Sequence, residues 1–249
     1  MAKWIFINGN WVEEEAGLLH FKDLSILRGY GIFDFFRLVG NEPLFLNDHL
    51  DRFFASAEAM HLKAGMERAE LQQAIKNLIR KNQLPDTGIR IGLTGGYSAD
   101  GFNLGKPNLF ISQHNFTTPQ QKEIEKGIKL TSYPYQRQLS HIKSIDYLMA
   151  VWLQPMRIEK NADDILYHSN GLISECPRAN FFLITQDDRI VTPASGVLRG
   201  ITRKKLIELT GDQFLIEERE VKMEELQIVF KSTEKCRELL TLFQKAYAC

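Results

Sequence analysis

The sequence predicts a mixed α/β protein, of the α/β or α+β class, with two domains. Strand-like and helix-like hydrophobic patterns alternate along its 249 residues. That length allows two domains, each of which buries its own core. The polar stretch from Gln113 to Gln121, in which Thr117-Thr118-Pro119 interrupts the apolar pattern, is typical of a linker. We therefore expect an N-terminal domain over residues 1–115, a linker over 116–121 and a C-terminal domain over 122–249.

The N-terminal part begins with a predicted hairpin. Residues 4–7 and 11–13 flank Asn8-Gly9-Asn10, and Asn-Gly between short apolar runs is a strong hairpin signal. Residues 32–39 are almost all apolar and end at Gly40-Asn41, which favours a mostly buried strand. The pattern then predicts a helix that begins at Asn47 or Asp48, a second helix around residues 71–79, and strands at 89–94 and 108–112.

The C-terminal part predicts more short strands and a longer helix. The longest apolar-periodic stretch runs from about residue 144 to 158, and Pro155 is expected to kink or end that helix. The other predicted elements are strands near 128–133, 164–168, 171–174, 180–184, 189–191 and 214–218, a helix at about 201–210 and a final helix from about 235.

Composition argues against several classes of protein. The 31 basic residues balance the 31 acidic ones, so nothing indicates a nucleic-acid partner. No apolar run approaches the roughly 20 residues of a membrane span, and Lys3–Ile7 resembles a strand rather than a signal peptide. We expect a cytoplasmic protein without a membrane partner. The three cysteines and six histidines lack metal-site or redox spacing, which favours free thiols and no metal site.

Four segments carry residues suited to chemistry. Lys143 lies between an extended segment and a predicted helix, where a rigidly held amine can reach a cleft. Glu175 lies between two strand-like runs, and a buried carboxylate there would need a cationic or hydrogen-bonding partner. Gly200 opens a helix whose first amides can bind an anion, and Arg52, beside an apolar helical face, can fork onto phosphate. Taken singly, each has an ordinary interpretation as a surface lysine, a turn glutamate, a common helix start or an ion-paired arginine.

In combination, the segments resemble the class IV pyridoxal-phosphate aminotransferases, also called fold type IV. The matching segments are RGYGIFDFFR at 28–37, HLDRFFASAE at 49–58, IKSIDYLMAV at 142–151, SECPRANFFLI at 174–184 and VLRGITRKKL at 197–206. Together they are far more specific than any one motif. The resemblance implies a two-domain fold like that of D-amino acid aminotransferase, with the cofactor at the domain interface, in a homodimer.

The resemblance also assigns roles to individual residues. It implies that Lys143 carries pyridoxal 5′-phosphate as a Schiff base and moves the proton between the substrate Cα and the cofactor C4′. Glu175 would pair with the pyridine nitrogen and keep it protonated. The further cofactor contacts implied are Arg52, the amides of Ile201 and Thr202 and the Ser232-Thr233 pair for the phosphate, and Tyr147 for the ring hydroxyl.

The substrate pocket is less well defined by the sequence. The family contains branched-chain aminotransferases, D-amino-acid aminotransferases and 4-amino-4-deoxychorismate lyases. D-specific members carry an Arg-x-His carboxylate trap in the loop that corresponds to residues 95–101, which here has neither residue, so the D-specific interpretation is disfavoured. Arg90 resembles a branched-chain pocket arginine that can meet an acidic side chain, and Tyr30 resembles a pocket tyrosine. Phe33, Phe35 and Phe36 are candidate apolar walls, although at least half of them are expected in the core.

The resemblance therefore favours an aminotransferase that transfers an amino group between an amino acid, either branched-chain or glutamate, and a 2-oxo acid. The lyase, which eliminates pyruvate with the same cofactor, remains an alternative. A non-catalytic binding protein of the same fold is a further alternative, disfavoured because both Lys143 and Glu175 are present.

Overall fold

The chain folds into two compact units in a computed structural model, which describes residues 3–117, 121–185, 187, 189–211, 214–227 and 238. Unit 1 comprises Met1–Thr118 and Ile142–Asp146, and unit 2 comprises Pro119–His141 and Tyr147–Cys249. The short segment Ile142–Asp146, expected from the sequence in the C-terminal domain, therefore groups with unit 1.

Unit 1 is a six-stranded antiparallel sheet covered by helices. Its strands are β1 (Trp4–Ile7), β2 (Asn10–Glu13), β3 (Gly31–Val39), β4 (Glu42–Pro43), β5 (Gly88–Thr94) and β6 (Leu109–His114), in the order β2-β1-β6-β5-β3-β4. Its helices are α1 (Leu24–Arg28), α2 (Leu46–Ala59) and α3 (Arg68–Asn82). A 3₁₀ turn, Glu14–Ala16, follows β2.

The two faces of this sheet differ because side chains alternate along each strand. The first face carries apolar side chains such as Ile32, Phe36 and Ile91, which pack with α2 and α3 residues in one buried cluster. The pairing register places a second set on the opposite side, which we call the second face: Phe33, Phe35, Arg37, Arg90, Phe110, Ser112 and His114. Of the three candidate wall phenylalanines, Phe36 is thus a core residue, while Phe33 and Phe35 lie on the second face.

The described residues of unit 2 form three small sheets and short helices. One sheet joins β7 (Leu130–Pro134), β8 (Asp164–Ser169) and β9 (Leu172–Ile173), a second joins β10 (Glu175–Cys176) and β11 (Ala179–Asn180), and a third joins β12 (Leu183–Ile184), β13 (Ile190–Pro193) and β14 (Ile216–Arg219). The helices are α4 (Gln121–Lys126), α5 (Leu148–Trp152), α6 (Gln154–Glu159) and α7 (Ile201–Thr210), and a 3₁₀ turn spans Met223–Gln227. Within the described ranges, no helix is long and apolar enough to cross a membrane.

Several elements differ from the sequence prediction. The predicted helix at 144–158 begins only at Leu148, since residues before it are extended beside β3, and it breaks at Leu153 between α5 and α6. Pro155 lies in the first turn of α6, where its missing N–H costs nothing, so the expected interruption is confirmed. Helix α1 was not predicted; the Asp23 side chain caps it by accepting from the Ser25 N–H. The final helix expected from about 235 lies outside the described residues, apart from helical Glu238.

Candidate active site

Lys143 is held by strand-like pairing beside β3. The Phe33 N–H donates to the Lys143 carbonyl at 3.0 Å, and the Ile145 N–H donates to the Gly31 carbonyl at 3.0 Å. Ile142 is buried in the core of unit 1, so the next side chain along this extended segment points to the other side. Accordingly, the Lys143 Nζ lies 4.6 Å from the centre of the Phe33 ring, on the second face.

Helix α2, which carries Arg52, contacts the lysine segment through Ser56. The Lys143 N–H donates to the Ser56 Oγ at 3.4 Å, and Ser56 lies one helical turn after Arg52. The Arg52 Nε and Nη2 donate to the two carboxylate oxygens of Asp34, each at 2.8 Å. The His49 Nδ1 lies 2.7 Å from one of the same oxygens. Arg52 is therefore oriented by a carboxylate on the first face of the sheet.

The Asp34 cluster is charged although it is buried. Asp34 is fully buried, and only 13% of the Arg52 side chain is exposed. Burial opposes ionisation of Asp34, but the hydrogen bonds from His49 and Arg52 outweigh it and hold the pKa of the carboxyl below its usual value. A guanidinium has five N–H donors, and Asp34 takes the Nε and Nη2 side of the fork. Among the described residues, none accepts a hydrogen bond from the Arg52 Nη1, so this side of the fork has donors for another anion.

Arg90 lies on the second face together with Lys143. Its guanidinium carbon is 4.2 Å from the centre of the Phe33 ring, the same ring that the Lys143 Nζ contacts. Cations are attracted to the face of an aromatic ring, so one phenylalanine holds both groups near it. Two candidates that are 53 positions apart in the sequence are thus brought to one place in unit 1.

Two glycines keep the flanks of Arg90 open for aromatic rings. A Cβ at Gly88 would lie 2.1 Å from the Phe35 ring, and a Cβ at Gly92 would lie 2.1 Å from the Phe110 ring. Both rings therefore lie across β5 at the positions two residues before and after Arg90. The arginine is consequently bordered by apolar surface on either side along its strand.

The other predicted substrate and cofactor residues are placed less centrally. The Tyr30 hydroxyl donates to the Met60 carbonyl at 2.7 Å, and burial raises the pKa of Tyr30. The hydroxyl is thus engaged as a donor and retains acceptor capacity. Tyr147 is the residue before α5 in unit 2. Ser232 and Thr233 lie outside the described residues.

Glu175 begins β10 in unit 2 and is nearly fully buried. Its Oε1 accepts from the Arg137 Nε at 2.8 Å, and its Oε2 accepts from the Leu198 N–H at 2.9 Å and from the Asn180 Nδ2 at 3.4 Å. The carboxylate is ion-paired with Arg137, whose side chain is 13% exposed. A carboxylate has about four acceptor positions, so Glu175 can accept one more donor.

The start of α7 is joined to the Glu175 network. Gly200 is the residue before the helix, and a Cβ there would lie 2.1 Å from the Asn180 Oδ1. Asn180 also donates to the Leu198 carbonyl at 2.7 Å. Ile201 and Thr202 are the first two residues of α7, whose leading amides lack intrahelical partners, as at any helix N-terminus. Neighbouring Cys176 is a buried free thiol whose pKa burial raises to about 12, so it is not a nucleophile at neutral pH.

Sequence reasoning missed the residues that hold the candidates in place. Asp34 and His49 orient Arg52, and Arg137 and Asn180 hold Glu175. One signal was available: an acidic residue within an otherwise apolar strand needs a partner, which predicts one for Asp34. Nothing in the sequence near Arg137 indicates its partner, which is 38 positions away.

The chain belongs to the amino-transferase class IV family, whose model matches residues 31–240. It is 25% identical over 215 residues to a D-alanine aminotransferase of Staphylococcus epidermidis, covering 84% of this chain and 76% of that protein. It is 27% identical over 233 residues to a probable branched-chain-amino-acid aminotransferase of Rickettsia felis, covering 90% and 79%. Its fold is similar to that of the branched-chain aminotransferase from Thermoproteus uzoniensis with norvaline, at a TM-score of 0.86 and 20% identity, covering 97% of this chain and 93% of that one. The expected fold type and the class of enzyme are confirmed.

Proposed function

We propose that this class IV aminotransferase uses pyridoxal 5′-phosphate to move an amino group between glutamate and a branched-chain 2-oxo acid. The observation that carries the substrate proposal is the placement of Arg90 and Lys143 on one Phe33 ring, with aromatic rings along β5 on both sides of Arg90. An amine for chemistry, a cation for a carboxylate and apolar surface for an aliphatic side chain thus share one face of unit 1.

Each unit, taken by itself, carries groups that suit a part of the cofactor. In unit 2, the remaining acceptor position of Glu175 suits a pyridine N–H, and the ion pair with Arg137 holds the carboxylate in place. The Nη1 side of Arg52 and the first amides of α7, at Ile201 and Thr202, suit a phosphate. In the same proposal, Tyr147 contacts the ring hydroxyl of the cofactor, and the Ser232-Thr233 pair binds its phosphate.

Lys143 is the residue that handles the proton. When bound, pyridoxal 5′-phosphate supplies an electron-withdrawing ring that accepts the electron pair left when the substrate Cα–H bond breaks. Strand pairing on both sides of Lys143 fixes the base of its side chain, so its Nζ has a defined position above Phe33. We assign Lys143 the removal of the Cα proton and its delivery to the acceptor carbon. Glu175 keeps the ring nitrogen protonated during that transfer.

Arg90 explains how one pocket accepts two kinds of side chain. A guanidinium binds a distal carboxylate through charge-assisted hydrogen bonds. An aliphatic side chain instead contacts Phe33 and Phe35, which need no such partner. Amino transfer requires this dual recognition, because the amino donor and the amino acceptor use the same site in turn.

The two half-reactions test the proposal separately. Glutamate should convert the holoenzyme to its pyridoxamine phosphate form, and a branched-chain 2-oxo acid should return it, both followed by absorbance. Arg90→Ala should weaken the glutamate half-reaction by about 10- to 150-fold, because a hydrogen bond to a charged group contributes roughly 1.5–3 kcal/mol. The aliphatic half-reaction should change far less. Arg90→Lys, which keeps the charge but loses the fork, should be intermediate.

Two results would contradict this assignment. Equal losses in both half-reactions of Arg90→Ala would show that Arg90 does not distinguish the glutamate side chain from an aliphatic one. Pyruvate release from 4-amino-4-deoxychorismate, with no pyridoxamine phosphate formed from any amino acid, would favour the lyase. A chain that binds no pyridoxal 5′-phosphate would fit only the non-catalytic alternative.

A second candidate is amino transfer from D-amino acids. The 25% identity between this chain and the D-alanine aminotransferase of Staphylococcus epidermidis supports it. The loop at 95–101 lacks the Arg-x-His pair, which opposes this candidate. Supplying D-alanine, D-glutamate and L-glutamate separately to the holoenzyme distinguishes the two, because only the accepted enantiomer yields the pyridoxamine phosphate form.

We also propose that the protein is a homodimer. Several large apolar side chains are exposed in the chain by itself: in α5, Leu148 is 73% exposed, Val151 68% and Trp152 62%. Exposed apolar groups so close together often mark a protein contact. Light scattering after size exclusion should give twice the mass of one chain, and Val151→Arg should shift that mass towards the monomer. A wild-type mass of one chain would contradict the proposal.

A further inference from the structure

Ser112 and His114 lie beside Arg90 on the second face of the unit 1 sheet. Strand pairing places Ser112 directly opposite Arg90, and His114 opposite Gly88. Directly opposite side chains in an antiparallel pair are about 4.5–5.5 Å apart at Cβ, so Ser112 is a direct neighbour of Arg90. The Ser112 Oγ lies 2.8 Å from the His114 Nε2. Serine and histidine therefore form one hydrogen-bonded unit next to the arginine.

The surroundings of this pair are cationic and aromatic. Arg37 lies in the same row of the sheet as Gly88 and His114. The Arg37 guanidinium carbon is 4.9 Å from the centre of the Phe116 ring, and Phe116 is 5.9 Å from Phe35. His114 is only partly buried and keeps a solvent-accessible surface. A ligand that reaches Arg90 along Phe35 thus meets two arginines and an imidazole with a solvent-accessible edge.

Partial burial and neighbouring charges together lower the pKa of His114 in the unliganded protein. Burial and the positive charge of Arg90 hold the pKa of His114 below its usual value, although the Glu14 carboxylate acts in the opposite direction. An anion bound at Arg90 would offset the positive charge that lowers the pKa of His114. Its negative charge would favour the protonated imidazole, so the pKa of His114 would rise.

We infer that Ser112 and His114 form, with Arg90, a proton-linked subsite for the distal carboxylate of a dicarboxylic amino donor. The inference rests on the proposed function, since Arg90 must receive that carboxylate. His114 takes up a proton when the carboxylate binds and releases it when the ligand leaves. Ser112 orients the imidazole through its hydrogen bond. Dicarboxylic ligands are therefore bound more tightly as the pH falls, and monocarboxylic ligands are not.

The test compares two unreactive ligands on the holoenzyme. Glutarate has the second carboxylate that the subsite would bind, and butyrate lacks it. Titration calorimetry at pH 6.5, 7.5 and 8.5, in two buffers of different ionisation enthalpy, gives both the dissociation constant and the number of protons taken up. Subtracting the butyrate value removes any proton change at the cofactor. We expect glutarate to take up more protons than butyrate, by up to one per site, and to bind more tightly at pH 6.5 than at pH 8.5.

Three variants assign that proton. His114→Gln keeps a hydrogen-bonding side chain but cannot take up a proton, so the extra uptake should vanish and glutarate binding at pH 6.5 should weaken by about tenfold. Ser112→Ala should reduce the extra uptake without abolishing it. His61→Gln is the matched control, because His61 is exposed at the far end of α2 and should leave the uptake unchanged.

Each outcome decides the inference. Equal proton uptake for glutarate and butyrate, no glutarate binding at all, or extra uptake that survives in His114→Gln would each overturn it. The proposed function fails differently: the holoenzyme then forms no pyridoxamine phosphate from glutamate. An enzyme that transaminates glutamate, loses this activity in Arg90→Ala and yet shows no extra proton keeps the proposed function and loses only the subsite.

Discussion

Replacing Asp34 by asparagine tests whether the buried cluster on the first face of the sheet orients Arg52, the arginine that we propose binds the cofactor phosphate. Asp34 is fully buried and is the acceptor for both the Arg52 fork and His49. An amide has the same shape but no charge, so Asp34→Asn leaves a mostly buried guanidinium without its counter-ion. Removing one partner of a buried ion pair costs about 3–5 kcal/mol. We expect unit 1 to lose stability by about that amount, and the affinity for pyridoxal 5′-phosphate to fall because Arg52 is no longer held in one orientation.

Urea unfolding of the cofactor-free protein measures the first effect. Trp4 and Trp11 lie in unit 1 and pack against its core. In a Trp152→Phe background, which removes the tryptophan of unit 2, tryptophan fluorescence therefore reports the unfolding of unit 1. Asp51→Asn is the matched control, because Asp51 pairs with Arg68 on the surface of the same unit, where an ion pair contributes about 0–1 kcal/mol. Titration of each variant with pyridoxal 5′-phosphate measures the second effect. An Asp34→Asn protein as stable as the Asp51→Asn control, with unchanged cofactor affinity, would refute the reasoning.

The pH dependence has a definite sign. The pKa of Asp34 is lower in the folded chain than its usual value of 3.8, so its contribution to stability is fully present above about pH 4. That contribution is lost as the pH falls through the lower folded value. The difference in unfolding free energy between wild type and Asp34→Asn should therefore shrink in acid. A difference that grows below pH 4 would contradict this assignment.

Three further predictions concern Lys143, Glu175 and Gly88. Borohydride reduction of the holoenzyme and peptide mapping should place the cofactor on Lys143, and labelling of another lysine would remove that assignment. Glu175→Gln should keep most cofactor binding but slow Cα proton removal in single-turnover kinetics, because an amide stabilises a protonated ring nitrogen less well than a carboxylate; an unchanged rate would refute the role. Gly88→Ala should lower stability by about 1–3 kcal/mol in urea unfolding, because its Cβ would overlap the Phe35 ring, and no loss would show that the ring moves freely.

The sequence predicted the elements of unit 1 better than the contacts of its side chains. The strand at 32–39 and the helix after Asn47 follow from hydrophobic periodicity, which depends only on neighbours along the chain. Residues 142–146 were predicted partly as helix because their pattern continues into α5. They are extended because the Phe33 N–H donates to the Lys143 carbonyl and the Ile145 N–H donates to the Gly31 carbonyl. These bonds join residues 110 and 114 positions apart, a separation that no local pattern contains.

In the candidate site too, residues within short motifs were predictable from the sequence, and long-range contacts were not. Resemblance to the family makes Lys143, Glu175 and Arg90 candidates, because their residue types are recognisable within short motifs. It did not identify Arg137, because a salt bridge between positions 38 apart is set by tertiary packing rather than by local sequence. The buried Asp34 falls between these cases: its position within an apolar strand predicts a partner, but not which residue supplies it.

The alternation of β3 separates the two parts of the site in unit 1. Phe33 points to the second face, where it contacts Lys143 and Arg90, and Asp34, the next residue, points to the first face, where it holds Arg52. Arg90 contacts Phe33 on one face and Arg52 pairs with Asp34 on the other, so changes on the two faces should act independently. Substitutions without shared partners usually add within about 0.3–0.5 kcal/mol. The double variant Asp34→Asn/Arg90→Ala, measured at saturating pyridoxal 5′-phosphate, should therefore lose glutamate half-reaction efficiency by the product of the two single effects. A departure from that product of more than about threefold would show that β3 couples the orientation of Arg52 to substrate recognition at Arg90.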